Sequence, residues 1–187
     1  AAHSRVDAVP SARLPITSVA RYALGFGVIA AVSAVGMPLA VALLPSRVAR
    51  IKLTNLLGHI TGESVARISG ATPEFTHRER IAQNFPAIYV MNHTSTMDLF
   101  LSIWLCPIGG CGVTKKEITK VPFLGLLYKL SKHLMLDRGD RAQSVGALSE
   151  VAELMKKHNL GLWILPEGTR SKDGALQPFK SGFVHLA

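Results

Sequence analysis

Residues 22–44 run for 23 positions without a charged side chain. As a helix at 1.5 Å per residue this run is roughly 34 Å long, enough to cross a hydrocarbon core of about 30 Å. A signal peptide and a buried core helix are the alternatives. A signal peptide's apolar region is only about 7–15 residues, shorter than this run. Gly25, Gly27, Gly36 and Pro38 would weaken a soluble helix but are common in membrane helices. The expectation is a membrane-embedded helix over residues 21–45, after a tail at 1–20. Pro38 can bend it, so spanning and dipping both stay open. Arg21 precedes the run and Arg47, Arg50 and Lys52 follow it, so flanking charge does not set an orientation.

Composition narrows the function classes. The 187 residues carry 21 Lys+Arg against 12 Asp+Glu, a net charge of +9, with 48% apolar residues. Mean hydropathy is +0.28. So apolar a chain is not disordered, and two cysteines do not make a disulfide scaffold. The length suits one domain plus an accessory segment. Apolar excess with strong positive charge points to an anionic partner: a phosphate substrate, anionic lipid or nucleic acid.

Residues 46–69 read as an amphipathic helix near the surface, with Val48, Ile51, Leu53 or Leu56, and Ile60 at helical spacing. Residues 70–73 break it, and a polar connector follows, so 46–80 form a helix and linker. From residue 81 the pattern is α/β. Strands are expected at 87–91, 110–114, 134–136 and 162–165. Helices are expected at 99–105, 121–130 and 141–158, the last with Val145, Leu148, Val151 and Met155 on one face. The fold class is therefore α/β, a mixed, mainly parallel sheet flanked by helices and preceded by membrane-associated helices. The apolar run at 183–187 lacks a turn or cap. The sequence is expected to be cut inside a core element of an incomplete domain at 81–187.

Two loops carry candidate chemistry. After the first strand comes Asn92-His93-Thr94-Ser95-Thr96-Met97-Asp98. The first turn of the following helix can bring Asp98 back to His93, and Thr94 or Ser95 can cap it. A carboxylate on one imidazole nitrogen fixes the tautomer and leaves the other to take a proton. Taken alone, the same spacing also fits a capped helix with a surface histidine. After the last strand comes Pro166-Glu167-Gly168-Thr169-Arg170-Ser171. Gly168 allows close backbone approach, and Arg170 offers a fork suited to phosphate. Lys180 and Gly182 follow.

Between these loops, Lys115, Lys116, Lys120, Lys129, Lys132, Arg138 and Arg141 face only Glu117, Asp137 and Asp140, a local balance of +4. A solvated face would look the same, but the basic residues alternate with apolar elements. Aromatic stacking residues are sparse, so a structured phosphate pocket fits better than nucleic acid. Cys106 and Cys111 lack further ligands at metal spacing and read as free buried thiols. His59, His77, His133 and His158 show no partner pattern and read as structural or solvent-facing.

Taken together, the His93-x4-Asp98 and Glu167-Gly-Thr-Arg170 motifs resemble those of the glycerophospholipid acyltransferases, and most nearly the 1-acylglycerol-3-phosphate branch. That family's middle motif is Lys, two residues, Phe, six residues, Gly, twelve residues, Arg. Lys115, Ile118, Gly125 and Arg138 match its spacing, with Ile118 in place of Phe. The segment Pro178-Phe-Lys180-Ser-Gly182, with His185 and Ala187, is similar to the family's continuation. The likeness covers roughly residues 87–187.

The resemblance implies that His93 is the general base, oriented by Asp98. Lys115, Arg138, Glu167, Gly168, Thr169 and Arg170 would hold the acceptor's phosphate. The donor would be acyl-CoA or acyl carrier protein, the acceptor lysophosphatidate and the product phosphatidic acid. No metal and no cofactor beyond that co-substrate are implied. The other partner would be membrane lipid, and in a bacterium the site would face the cytoplasm at the inner membrane. The family usually continues into a further strand with a Val-Pro-type motif, which this sequence lacks. Other readings are a related acyltransferase acting on glycerol-3-phosphate or another lysolipid, and a non-catalytic lipid-binding protein. A lipid hydrolase would need a G-x-S-x-G elbow, which is absent from the sequence.

Overall fold

The computed structural model describes residues 16–136, 141–171 and 173–186. A helical hairpin leads. Helix α1 covers Ile16–Ala42 and helix α2 covers Arg47–Ser69. The break between them is set by local chemistry. Ser46 caps α2, its hydroxyl accepting the Ala49 N–H at 3.2 Å. At the far end Gly70 takes the left-handed conformation, with φ of 84°, and its N–H reaches back to the last turn of α2. Arg21, near the start of α1, donates to the Ser69 carbonyl at the end of α2, so the two helices run antiparallel. The charge-free run is thus only part of the first helix, which begins at Ile16 and includes Arg21.

Helix α1 is long and apolar enough to cross a membrane. Its buried stripe is narrow and mostly small: Gly25, Ile29, Ser33, Gly36 and Ala40. Tyr22, Leu24, Phe26, Val35 and Leu39 face outward. An apolar outer face over this length suits lipid better than water.

Helix α2 differs from its sequence reading. Ile51 is fully buried, but Leu56 and Ile60 are half exposed. The inward face carries Arg50, Asn55, Thr61 and Gly62. These polar groups tie the hairpin to the domain. Asn55 accepts the Gly109 N–H at 2.9 Å and donates to the Gly110 carbonyl at 3.0 Å. Arg50 donates to the Leu130 carbonyl at 2.7 Å, and Arg47 pairs with Glu150.

The domain alternates short strands and helices: α3 Glu79–Gln83, β1 Ile88–Val90, α4 Met97–Leu105, β2 Gly110–Lys115, α5 Leu124–Ser131, β3 Leu134–Leu136, α6 Arg141–His158 and β4 Gly161–Ile164. Short 3-10 helices cover Lys116–Lys120 and Ser181–Leu186. The helix expected over 121–130 is thus a tight turn followed by α5. Gly125 permits this, because a Cβ there would lie 2.5 Å from the Thr119 carbonyl oxygen. The sheet order is β1-β4-β2-β3, and all three pairings are parallel. One rung, Ile88, Leu162 and Cys111, packs with Ile51, Leu134, Val151 and Leu160 as the core. Cys106 and Cys111 are free and buried.

His133 holds α2 against the sheet from a buried position. Its Nδ1 accepts the Gly112 N–H at 3.0 Å. The neutral ring therefore carries its proton on Nε2, which donates to Thr54 Oγ1 at 2.9 Å. Burial, helped by the charge of Arg47, pushes the His133 pKa from 6.5 down to about 4. The unfolded chain takes a proton here below pH 6.5 while the folded one does not. Stability is then complete above pH 6.5 and falls as pH drops towards about 4. That difference corresponds to about 3 kcal/mol. Unfolding measured between pH 4 and 8 should show this slope, and His133→Gln should flatten it. An equal slope in the variant would assign the pH dependence to other groups.

Candidate active site

Strands β1 and β4 are parallel neighbours, so their carboxyl ends lie side by side. Loops leaving that edge are where parallel α/β sheets place their sites. The Met91 N–H still bonds the Ile164 carbonyl at 3.1 Å, after which the two chains diverge. Residues 92–98 and 165–171 then face each other. Cross-loop bonds on the His93 backbone help hold them together: the His93 N–H donates to Glu167 Oε1 at 2.6 Å, and the Ser171 N–H donates to the His93 carbonyl at 2.8 Å.

Asp98 sits in the first turn of α4 and is 6% exposed. Its Oδ2 receives His93 Nδ1 at 2.9 Å and the N–H groups of Thr94 and Ser95, each at 2.7 Å. Ser95 Oγ accepts the Met97 N–H at 3.1 Å, so Ser95 also serves the helix start. Burial alone would raise the Asp98 carboxyl. The His93 hydrogen bond, the Ser95 and Thr94 N–H groups and the charge on His93 together outweigh it and hold the carboxyl below its usual range. An ionised carboxylate on Nδ1 keeps the proton there and makes Nε2 the basic nitrogen.

His93 lines a cavity of about 1220 Å³. This exceeds the usual range of small-ligand pockets, about 300–1,000 Å³. Its lining includes His93, Thr96, Gly168, Arg170 and Lys180 from the two loops and the segment that follows them. The lining is largely apolar and includes Ile29 and Val32 of α1, Leu57 of α2, Leu99 and Ile103 of α4, and Leu124 and Leu127 of α5. A lining with cations and a large apolar area suits a molecule with a charged head and an apolar tail.

The sequence candidates are placed as follows. His93, Gly168 and Arg170 line one cavity. Gly168 has a φ of 71°, and its N–H closes a turn onto the Leu165 carbonyl at 3.1 Å. That left-handed conformation favours glycine. Arg170 is exposed and donates to Thr96 Oγ1 at 2.6 Å, linking the two loops. Thr169 is exposed. Glu167 is buried, and both its carboxylate oxygens accept backbone N–H groups. Lys115 is the last residue of β2, in register with Leu136. Arg138 lies outside the described residues. Thr96 was not singled out in the sequence, because the motif spacing treats the residues between His93 and Asp98 as interchangeable. The cavity walls went unmarked because they come from helices far apart in the chain.

Comparison with known proteins gives the family. A family model described as Acyltransferase matches residues 72–187. The chain is 46% identical over 147 residues, or 79% of its length, to 1-acyl-sn-glycerol-3-phosphate acyltransferase of Limnanthes douglasii, covering 52% of that protein. It is 42% identical over 172 residues, or 92% of its length, to the same-named protein of Cocos nucifera, covering 55% of it. The chain thus spans about half the length of these curated relatives. Among solved structures, the 1-acyl-sn-glycerophosphate (LPA) acyltransferase of Thermotoga maritima superposes with a TM-score of 0.70 at 23% identity. That likeness covers 92% of this chain and 68% of the other, and it shows a shared fold. With a family match over more than half its length, the chain belongs to the acyltransferase family.

Proposed function

We propose that this chain carries the catalytic centre of an enzyme that acylates 1-acylglycerol-3-phosphate, giving phosphatidic acid. The observation that carries this reading is the His93–Asp98 pair at 2.9 Å, set in a cavity that also receives Arg170 and continues between apolar helices. The printed names of the relatives supply the acceptor. The donor in this reading is an acyl thioester, acyl-CoA or acyl carrier protein.

In the proposed reaction His93 Nε2 removes the proton from the acceptor's free hydroxyl. The oxygen attacks the thioester carbonyl and forms a tetrahedral intermediate. The attack makes the new carbon–oxygen bond, and collapse of the intermediate restores the carbonyl and breaks the carbon–sulfur bond. The departing thiolate takes the proton back from His93. Asp98 holds the ring in the required tautomer throughout and stabilises the imidazolium. The acceptor's phosphate is met by Arg170, a planar fork fixed beside the base by Thr96. Lys115 and Arg138 are proposed to share that phosphate, as the family's motif implies. Helix α1 seats the enzyme on the membrane, where both lipids reside.

The test is transfer from labelled acyl-CoA or acyl carrier protein to a panel of acceptors, with the full-length protein in membranes. The panel holds lysophosphatidate, glycerol-3-phosphate and a lysophospholipid with a blocked phosphate. Product with lysophosphatidate alone is expected. Product only with another acceptor would keep the chemistry and change the substrate. No product with any pairing would overturn the reading.

Arg170→Ala should raise the KM for lysophosphatidate by roughly 10- to 100-fold, the loss of about 1.5–3 kcal/mol for a charged hydrogen bond. The thioester KM should stay within about twofold. The reverse pattern would place Arg170 on the donor side.

A further inference from the structure

We infer that Glu167 positions His93 and does not contact the acceptor's phosphate. The inference deepens the proposed reading of His93 as the base and rests on it. Motif likeness groups Glu167 with the phosphate-binding residues, but three observations separate it from them.

First, the residue is only 4% exposed. Second, both carboxylate oxygens are engaged by the protein's own backbone. Oε1 accepts the His93 N–H at 2.6 Å, and Oε2 accepts the Gln177 N–H at 3.0 Å. Third, the engaged groups belong to different segments. His93 is further tied by its carbonyl to the Ser171 N–H, and Lys180 is tied by its N–H to the Pro166 carbonyl at 3.0 Å. One buried carboxylate therefore joins the loop carrying the base, the loop carrying Arg170 and the segment that leads to Lys180. A carboxylate facing a phosphate would also oppose binding by like-charge repulsion.

The consequence for catalysis is geometric. The hydrogen bond that the His93 N–H donates to the carboxylate fixes the backbone from which the His93 ring projects towards Asp98. Displacement of a catalytic group by about 1 Å can cost on the order of 10²-fold in rate. Both partners of Glu167 are N–H donors, so a carboxylate satisfies both. A carboxamide of the same size has one oxygen and would turn its NH₂ towards one of the two donors.

The experiment compares Glu167→Gln, Glu167→Asp and Glu167→Ala with the unaltered full-length protein in detergent micelles. Two readouts are taken: steady-state acyl transfer, and hydrogen exchange at the His93 and Gln177 amides without substrate. Glu167→Gln should lower kcat by roughly 10- to 100-fold and leave the lysophosphatidate KM within about twofold. Exchange should accelerate at least about tenfold at one of the two amides. Glu167→Asp, which keeps two acceptor oxygens, should recover more activity than Glu167→Ala. A raised KM at preserved kcat would place Glu167 in the acceptor site and overturn the proposal. Unchanged exchange in every variant would overturn it too, whatever the substrate. An inactive unaltered protein whose amides are protected, and released in the Gln variant, would uphold the clamp and refute the acyltransfer reading instead.

Discussion

His93→Ala will lower kcat for acyl transfer by at least about 10³-fold while lysophosphatidate and thioester still bind. General-base catalysis contributes about 10²–10⁴-fold, and the hydroxyl of the acceptor is a poor nucleophile until its proton has somewhere to go. In the proposed reaction His93 is the base. Asp98, the neighbouring carboxylate, has its Oδ2 occupied by three donors and its pKa held low. Glu167 is occupied at both oxygens. In the proposed reading the acceptor's phosphate is met by other residues, so binding and turnover should separate. Binding of radiolabelled lysophosphatidate and initial rates on the same membranes would check this. Turnover within tenfold of the unaltered protein would remove His93 from the role of base.

The second large effect concerns stability. Gly62→Ala should destabilise the fold by about 3 kcal/mol, the upper part of the usual range for overpacking. A Cβ added to Gly62 would come within 2.8 Å of Trp104 Cβ and 2.9 Å of Trp104 N, and would strike the Phe100 carbonyl oxygen. Gly58, one turn earlier, lies against Ile103 in the same way. Helices α2 and α4 therefore touch backbone to backbone, and neither obstacle is a flexible side-chain tip. For a chain of this size the change should lower Tm by roughly 10 °C. Because α4 also carries Asp98, activity should fall at temperatures where the fold survives. Gly27→Ala is the control, since nothing lies within 4 Å of an added Cβ there. Equal melting of the Gly62 and Gly27 variants would show that α2 and α4 slide apart at little cost.

Much of the α/β order was legible because its signals are local. Strands β1 and β4 are short apolar runs ending at polar loops, and His93 and Asp98 lie at a spacing one helical turn can close. Helix α2 shows where such reading fails. Its periodicity marks Leu56 and Ile60 as an apolar stripe, but periodicity does not say which solvent the stripe meets. Here they look outward, as the apolar face of α1 does, while Asn55 and Arg50 turn inward to satisfy backbone groups of distant loops. Those partners lie 55 and 80 residues away, beyond the reach of any window. Glu167 makes a related point. A motif names the residue, but burial and direction decide whether its charge meets a ligand or the chain itself.

The wall that α1 lends to the cavity has one more consequence. Ile29, Val32 and Ser33 line the same space as His93. The greasy helix, proposed as the membrane seat, is thus also a piece of the vessel in which the reaction is proposed to run. Cutting it away to obtain a water-soluble fragment would leave that vessel open along one side. Natural variation inside the bilayer segment, usually dismissed as neutral exchange among aliphatic residues, would then reshape what the enzyme can hold.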